Sequence, residues 1–316
     1  MAILVTGGAG FIGSHLCESL LTLTTDRILC CDNFDPFYDI SLKKKNLSPL
    51  LNNPRFRFIE ADIRNPDAMD KIFSDEKITE VVHLAAKAGV RPSIQDPLGY
   101  VDTNIHGTVV LLELAKKYKI SKFLFASSSS VYGNNQKVPF SETDNVDTPI
   151  SPYAATKKAG ELLCFNYHHL YQIPIVCLRF FTVYGPRQRP EMAIHKFARL
   201  MQQGREIPLY NYGKCHRDYT YVTDIVDGIL TIFKRDFTYD VVNLGESATT
   251  TTLELIALLE QNLGVTAKTV LLPPEPGDVD ITYADIERAK SRYGYAPKIP
   301  IALGIEKFSA WVKLGL

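Results

Sequence analysis

Ala2-Ile3-Leu4-Val5-Thr6-Gly7-Gly8-Ala9-Gly10-Phe11-Ile12-Gly13 begins as an apolar run and ends in glycines spaced three apart, at 7, 10 and 13. An apolar-periodic segment follows to about residue 23, so the glycines fall in a strand-to-helix turn. Glycine at these positions lets the chain turn sharply, lets backbone N–H groups approach a pyrophosphate, and lets the helix pack closely on a sheet. A second strand-like run, 27–31, ends in Asp32, the separation at which a carboxylate bonds the hydroxyls of an adenosine ribose. Asp32 would repel a 2′-phosphate, so the expected cofactor is NAD rather than NADP.

The rest of the chain fits an α/β reading. Strand-like runs at 56–59, 80–84, 123–127 and 175–178 alternate with helical periodicity at 66–73, 97–118 and 152–171, and each helical stretch has a proline near its first turn. The expected architecture is a Rossmann-type, doubly wound parallel sheet with a smaller, interleaved C-terminal α/β substrate domain. We place the NAD-binding domain at 1–180, with a return segment near 217–247, and the second domain mainly at 181–316. Residues 219–233 read as a helix and 241–244 as a strand rejoining the first sheet.

Composition limits the partners. Among 316 residues, 46% are hydrophobic and 35 basic residues balance 35 acidic ones. That balance argues against nucleic acid or an anionic membrane as the main partner. No apolar run reaches spanning length, and the first residues read as strand and phosphate loop, so a cytoplasmic protein is expected. The six cysteines (17, 30, 31, 164, 177 and 215) show no C-x-x-C spacing, which suits buried reduced thiols. The seven histidines form no ligand set, so no metal is expected.

Chemistry enters at Ser127-Ser128-Ser129-Ser130-Val131-Tyr132-Gly133, a hydroxyl cluster at a C-terminal strand edge. Downstream come Tyr153 and, four positions on, Lys157, which share one face of a helix. A tyrosine of ordinary pKa, about 10, is a poor base at neutral pH. An adjacent ammonium and a positive nicotinamide ring both favour its phenolate and make it a usable acid/base. Ser128 can then hold the alcohol oxygen of the substrate in line.

Gly7-x-x-Gly10-x-x-Gly13, Asp32, Asp62-Ile63, His83-Leu84-Ala85-Ala86, Ser127-Ser128, Tyr153-x-x-x-Lys157 and Arg217-Asp218-Tyr219 together resemble an extended short-chain dehydrogenase/reductase of the NAD-dependent nucleotide-sugar epimerase family. The likeness covers nearly the whole chain. It implies that Gly7, Gly10, Phe11, Ile12, Gly13, Asp32 and Asn33 hold the cofactor, with Asp62 and Ile63 at the adenine. Leu84, Ala85 and Ala86 would line the cofactor, with Tyr153 and Lys157 at its reactive end. It further implies that Arg217 binds a UDP-sugar phosphate and that Asp278 bonds the nucleotide ribose. Glu275 stands where galactose-type epimerases carry a phosphate-binding arginine; Arg288 or another base would then supplement Arg217.

Within the family, Cys31-Asp32-Asn33-Phe34 with Tyr38-Asp39 and Leu42-Lys43-Lys44, Arg179-Phe180-Phe181-Thr182-Val183-Tyr184-Gly185-Pro186, and Arg187-Gln188-Arg189-Pro190 are most similar to UDP-glucuronate 4-epimerases. A buried C6 carboxylate needs a charge-assisted partner, and Arg189, helped by Ser129, Ser130 and Thr182, is the candidate clamp. The resemblance implies C4 epimerisation of UDP-glucuronic acid to UDP-galacturonic acid through a transient 4-keto sugar. UDP-glucuronate decarboxylase and UDP-glucose 4-epimerase are the alternatives, and a non-catalytic NAD-binding regulatory protein is a remote one. Decarboxylases usually carry a glutamate where this chain has Ser130, and 4,6-dehydratases need an Asp-Glu pair where it has serines. The family likeness also implies a homodimer built from helices 97–118 and 152–171. Lys87 and Asn104 lie near the cofactor segment, Lys87 suited to a cofactor phosphate and Asn104 either to buttressing the site or to ordinary helix packing.

Overall fold

The apolar runs become strands of one sheet, the central ones covered on both faces and the edge strand Phe56–Glu60 partly exposed. β1 (Ala2–Thr6), β2 (Arg27–Asp32), β3 (Phe56–Glu60), β4 (Glu80–His83), β5 (Lys122–Ser128), β6 (Ile175–Phe180) and Tyr239–Leu244 form one sheet. Its order is Tyr239–Leu244, β6, β5, β4, β1, β2, β3. β1 pairs in parallel with both β2 and β4, so the winding reverses at β1, where open α/β sheets hold ligands beyond the strands' carboxyl ends. All residues of β1 and β6 are buried, as a doubly covered sheet requires. The computed structural model describes residues 1–274 and 279–315.

The chain divides into two units. The first comprises Met1–Gly133, Asn145–Arg179 and Ile229–Val242; the second comprises Asn134–Asp144, Phe180–Gly228 and Asn243–Leu316. In the first, the helices are α1 (Phe11–Leu23), α2 (Ile40–Leu47), α3 (Pro66–Glu76), α4 (Val90–Gln95), α5 (Pro97–Val101), α6 (Gly107–Lys117) and α7 (Pro152–Tyr171). Asn65 caps α3 and Ser151 caps α7 by accepting backbone N–H bonds, each just before a first-turn proline. Leu4, Leu29, Val81, Phe123 and Ile175 from the sheet pack with Leu111 and Ala115 of α6 and Cys164 of α7. Each of the buried Leu, Val, Phe and Ile side chains contributes roughly 1.5–3 kcal/mol.

Residues 97–118 are not the single regular helix that the periodicity predicts. α5 and α6 are joined by a π turn, Asp102–His106, in which Asn104 is buried. One extra residue widens the turn and re-aims the side chains it carries.

The second unit carries the helices Ala193–Gln202, Thr252–Leu263 and Ile301–Lys313, and its strands are short. Thr182–Tyr184 pairs in parallel with Tyr219–Tyr221, Glu206–Leu209 with Lys268–Leu271, and His216–Arg217 runs antiparallel to Thr250–Thr251. Residues 219–221 are therefore strand, and the helix expected from 219 begins only at Val222. Buried Asp218 organises this unit. Its carboxylate accepts the N–H groups of Glu246 (2.8 Å), Ser247 (3.0 Å) and Ala284 (3.1 Å) and the Thr220 hydroxyl (3.1 Å), while burial pushes its pKa up to about 6. All six cysteines are free and buried. Among the described residues, no helix is long and apolar enough to cross a membrane.

Candidate active site

The glycine turn is shaped by close approach. Gly7 has φ +68° and donates its N–H to Cys31 O at 2.7 Å. A Cβ there would lie 2.8 Å from Ala85 Cα, and one on Gly13 would lie 2.3 Å from Gly7 O. Gly10 caps α1 with no side-chain bond to its first-turn N–H groups, so those donors point out of the turn, where a pyrophosphate would meet them. Phe11 and Gly13 are buried in the first turn of α1, with Ile12 half-buried between them.

Asp32 is oriented from three sides. Its carboxylate accepts Phe34 N–H (2.9 Å) and Ala9 N–H (3.2 Å), and Lys43 Nζ lies 3.5 Å away. Both members of the Asp32–Lys43 pair are buried. Asn33 donates to Asp62 at 3.0 Å. Hydrogen bonds from Arg64 hold the Asp62 carboxyl down to about 2, against the cost of partial burial. Ile63 packs so closely on the α6 start that a Cβ on Gly107 would lie 2.6 Å from it. A cradle that any Cβ would fill, an uncapped helix and a pre-oriented carboxylate fit a dinucleotide with a free ribose diol.

The loop after β4 is pinned by a directional chain. Leu84 N–H bonds Thr6 O at 3.1 Å, Ala85 N–H bonds Thr6 Oγ1 at 3.2 Å, and Ala86 continues the half-buried turn. Thr108 Oγ1 donates to Asn104 O (2.6 Å) and therefore accepts from His83 Nε2–H (3.0 Å). His83 Nδ1 is then an acceptor, for Thr6 Oγ1–H at 2.7 Å. Burial, with Lys157 nearby, drives the His83 pKa down to about 3, so the ring stays neutral. Asn104 clamps the Lys87 backbone from both sides, accepting its N–H at 2.8 Å and donating to its C=O at 2.9 Å, and bonds Thr156 on α7 at 3.0 Å. Asn104 thus ties the loop after β4 to α7. The Lys87 ammonium pairs with Asp96 at 2.7 Å.

At the end of β5, Ser128 Oγ accepts Ser130 N–H and donates to Ser130 Oγ, both at 3.1 Å, with Ser129 and Ser130 in a 3-10 turn, Ser129–Tyr132. Tyr153 lies in the first turn of α7, edge-on to Tyr100 with ring centroids 6.2 Å apart. Lys157, one turn on, is 4% exposed; its Nζ donates to Ala126 O at 2.7 Å and lies 6.0 Å from the centroid of the Tyr153 ring. Burial pulls its pKa down to about 8, opposed by Cys164 and Glu161, which leaves it cationic at neutral pH. Sequence reasoning missed the orienting roles of Lys43, His83 and Arg64. A lysine eleven residues after the ribose acid, and a histidine inside an apolar strand, were the available signals.

In the second unit, Thr182 opens its strand, with its N–H bonded to Asp218 O at 3.1 Å. Gln188 is buried and anchors the arginine loop, donating to Val183 O (3.1 Å) and accepting His195 N–H (3.1 Å). Arg189 is largely buried and ion-pairs with Glu191 at 2.9 Å. Arg217 donates to His216 O at 2.9 Å and to Asp280 O at 3.3 Å. Arg288 faces Glu142 at 3.9 Å. Glu275 and Asp278 lie outside the described residues.

A glycine cradle at the switch point, an oriented ribose acid and a Tyr-x-x-x-Lys helix define an NAD-linked short-chain dehydrogenase/reductase site. The chain belongs to the NAD dependent epimerase/dehydratase family, whose model matches residues 3–245. It is 42% identical to a UDP-glucuronate 4-epimerase of Thermodesulfobacterium geofontis, over 98% of this chain and 95% of that protein. Among solved structures, UDP-glucuronic acid 4-epimerase of Bacillus cereus, in complex with UDP-glucuronic acid and NAD, is 40% identical with TM-score 0.94 and full coverage of both chains. UDP-glucose 4-epimerase of Thermotoga maritima is 34% identical with TM-score 0.91, over 100% of this chain and 99% of the other. The protein is an epimerase-family enzyme.

Proposed function

We propose that this enzyme binds NAD and interconverts UDP-glucuronic acid and UDP-galacturonic acid by inversion at C4. The observation that carries the substrate choice is Arg189, whose side chain is only 21% exposed, in a loop pinned by Gln188. A buried guanidinium of this kind suits bidentate capture of a carboxylate, at the cost of exchanging Glu191 for the ligand. The identity to UDP-glucuronate 4-epimerases supports the same choice.

In this reading Tyr153 takes the C4 hydroxyl proton, Lys157 sustains the phenolate, and Ser128 holds the C4 oxygen in line. NAD supplies the reversible hydride acceptor. Tyr153 returns the proton once the keto sugar has presented its other face, so no external reductant is consumed. A C4 ketone is β to the C6 carboxylate and prone to lose carbon dioxide. Arg189, with Ser129, Ser130 and Thr182, would hold the carboxylate so that the breaking bond lies out of overlap with the carbonyl. Arg217 would take a phosphate and Asp278 the nucleotide ribose. The reading includes a cytoplasmic homodimer through α5, α6 and α7, whose surface exposes Leu98 (81%), Leu162 (57%) and Phe165 (51%).

The test is to incubate the purified protein with UDP-glucuronic acid, adding no nicotinamide, and to follow the sugar by proton NMR. UDP-galacturonic acid is expected. A UDP-pentose would replace the reading with decarboxylation, and turnover of UDP-glucose alone would replace it with a glucose-type epimerase.

A further inference from the structure

Four residues on from Lys157, the same face of α7 carries Glu161, a carboxylate 3% exposed. It accepts a bidentate fork from Arg179, also 3% exposed, with Nε–Oε1 at 2.8 Å and Nη2–Oε2 at 2.9 Å. Its Oε1 also accepts the Ser127 hydroxyl at 2.6 Å. Arg179 lies at the end of β6 with its guanidinium 4.8 Å from the centroid of the Tyr132 ring, and Tyr132 closes the 3-10 turn that holds Ser129 and Ser130. One carboxylate therefore links the tip of β5, the end of β6 and the helix carrying Tyr153 and Lys157.

Burying two charges costs more than packing two apolar side chains of the same volume, so the pair is weak evidence for stability alone. What it supplies is geometry. Ser127 is the residue before Ser128, and its side chain points to the opposite face of the strand. Tethering Ser127 to α7 sets the height of Ser128 relative to Tyr153, two groups that lie on separate elements.

We propose that Glu161, braced by Arg179 and bonded to Ser127, is the positioning residue that holds the Ser128 strand tip in register with the Tyr153–Lys157 helix during proton transfer. This rests on the proposed roles of Ser128, Tyr153 and Lys157. The charge of Glu161 also supports the protonated form of Lys157, together with Cys164 on the same helix. His83 of β4 faces Lys157 as a neutral ring, and Phe125 of β5 lies 5.2 Å from its Nζ. Loss of the Glu161 charge would move the alkaline limb of turnover to lower pH.

The experiment compares Ser127→Thr with Ser127→Val, two side chains of equal shape of which only threonine keeps the hydroxyl. Strain from the added methyl is common to both and cancels in the comparison. The valine protein is expected to lose about 10–100-fold in kcat relative to the threonine protein, with KM for the sugar nucleotide and bound NAD unchanged. Faster hydrogen exchange at the amides of residues 128–130 is expected in the valine protein without any substrate, a readout independent of turnover. Glu161→Gln, if it folds, is expected to shift the alkaline limb to lower pH. Equal kcat and equal exchange in the threonine and valine proteins would overturn the inference. Absence of turnover in the unmodified protein would instead overturn the proposed function, while the exchange comparison would still decide the tether.

Discussion

Lys157 Nζ donates to Ala126 O at 2.7 Å, tying the ammonium beside Tyr153 to the strand that ends in Ser128. Its pKa is pulled down to about 8, below the unfolded value of about 10.4. The folded protein therefore releases this proton first as pH rises. Turnover is expected to be steady near neutrality and to fall as pH passes about 8, and Lys157→Met is expected to lose about 10²–10⁴-fold in kcat across the whole range. A pH–rate profile of kcat/KM checks this; an alkaline limb absent below pH 10 would contradict it.

Gly13 admits no side chain, because its Cβ would sit 2.3 Å from Gly7 O. Gly13→Ala is expected to fold, since the sheet core is untouched, yet to bind NAD at least about tenfold more weakly. Isothermal titration of the cofactor-stripped proteins measures it, and equal affinities would contradict the pyrophosphate assignment.

Gly160 faces Phe125, whose Cζ would lie 2.3 Å from an added Cβ. That ring also lies under the Lys157 ammonium, at 5.2 Å. Gly160→Ala is expected to destabilise the fold by about 1–3 kcal/mol through overpacking. Thermal unfolding reports the loss, and kcat is expected to fall with it because the displaced ring moves Lys157.

Arg189→Ala is expected to abolish turnover of UDP-glucuronic acid or to release carbon dioxide from it, according to whether binding or carboxylate geometry fails first. Glu191→Gln removes the competing anion and is expected to lower KM for the same substrate. Unchanged kinetics in both variants would remove Arg189 from the site.

In the second unit, Glu246 is raised to about 7 by burial and by the nearby charges of Asp224 and Asp218. A carboxyl raised above its unfolded value contributes stability that is fully present below about pH 4 and is lost as pH rises through about 7. Glu246→Gln is therefore expected to raise Tm at pH 8, by about 2 °C, and to change it little at pH 4. Scanning calorimetry at the two pH values separates this from a plain packing effect.

Much of the first unit was legible because its signals are local. The strand-turn-helix of residues 2–23 and the prolines opening α3, α5 and α7 need only neighbours to be read. The π turn was not, since Asp102–His106 keeps a helical pattern while its register slips. Strands of two or three residues in the second unit are too short to show a period, which is why 219–221 read as helix. Tyr153 and Lys157 could be paired by spacing. Glu161 with Arg179 and Lys43 with Asp32 could not, because each needs two elements to meet.

The π turn also marks a point of fragility. A single-residue deletion between Asp102 and His106 would let α5 and α6 run on as one unbroken α-helix, with every backbone bond remade. Because a π turn winds less per residue than an α turn, the faces of α5 and α6 would keep their directions, and only the side chains within the turn would be re-aimed. Asn104 would then release the Lys87 backbone while Leu111 and Ala115 stayed in the core, so the helix could satisfy its own hydrogen bonds or serve the loop after β4, but not both. An insertion or deletion at this point in a relative is for that reason a sign that the loop after β4 is held in some other way.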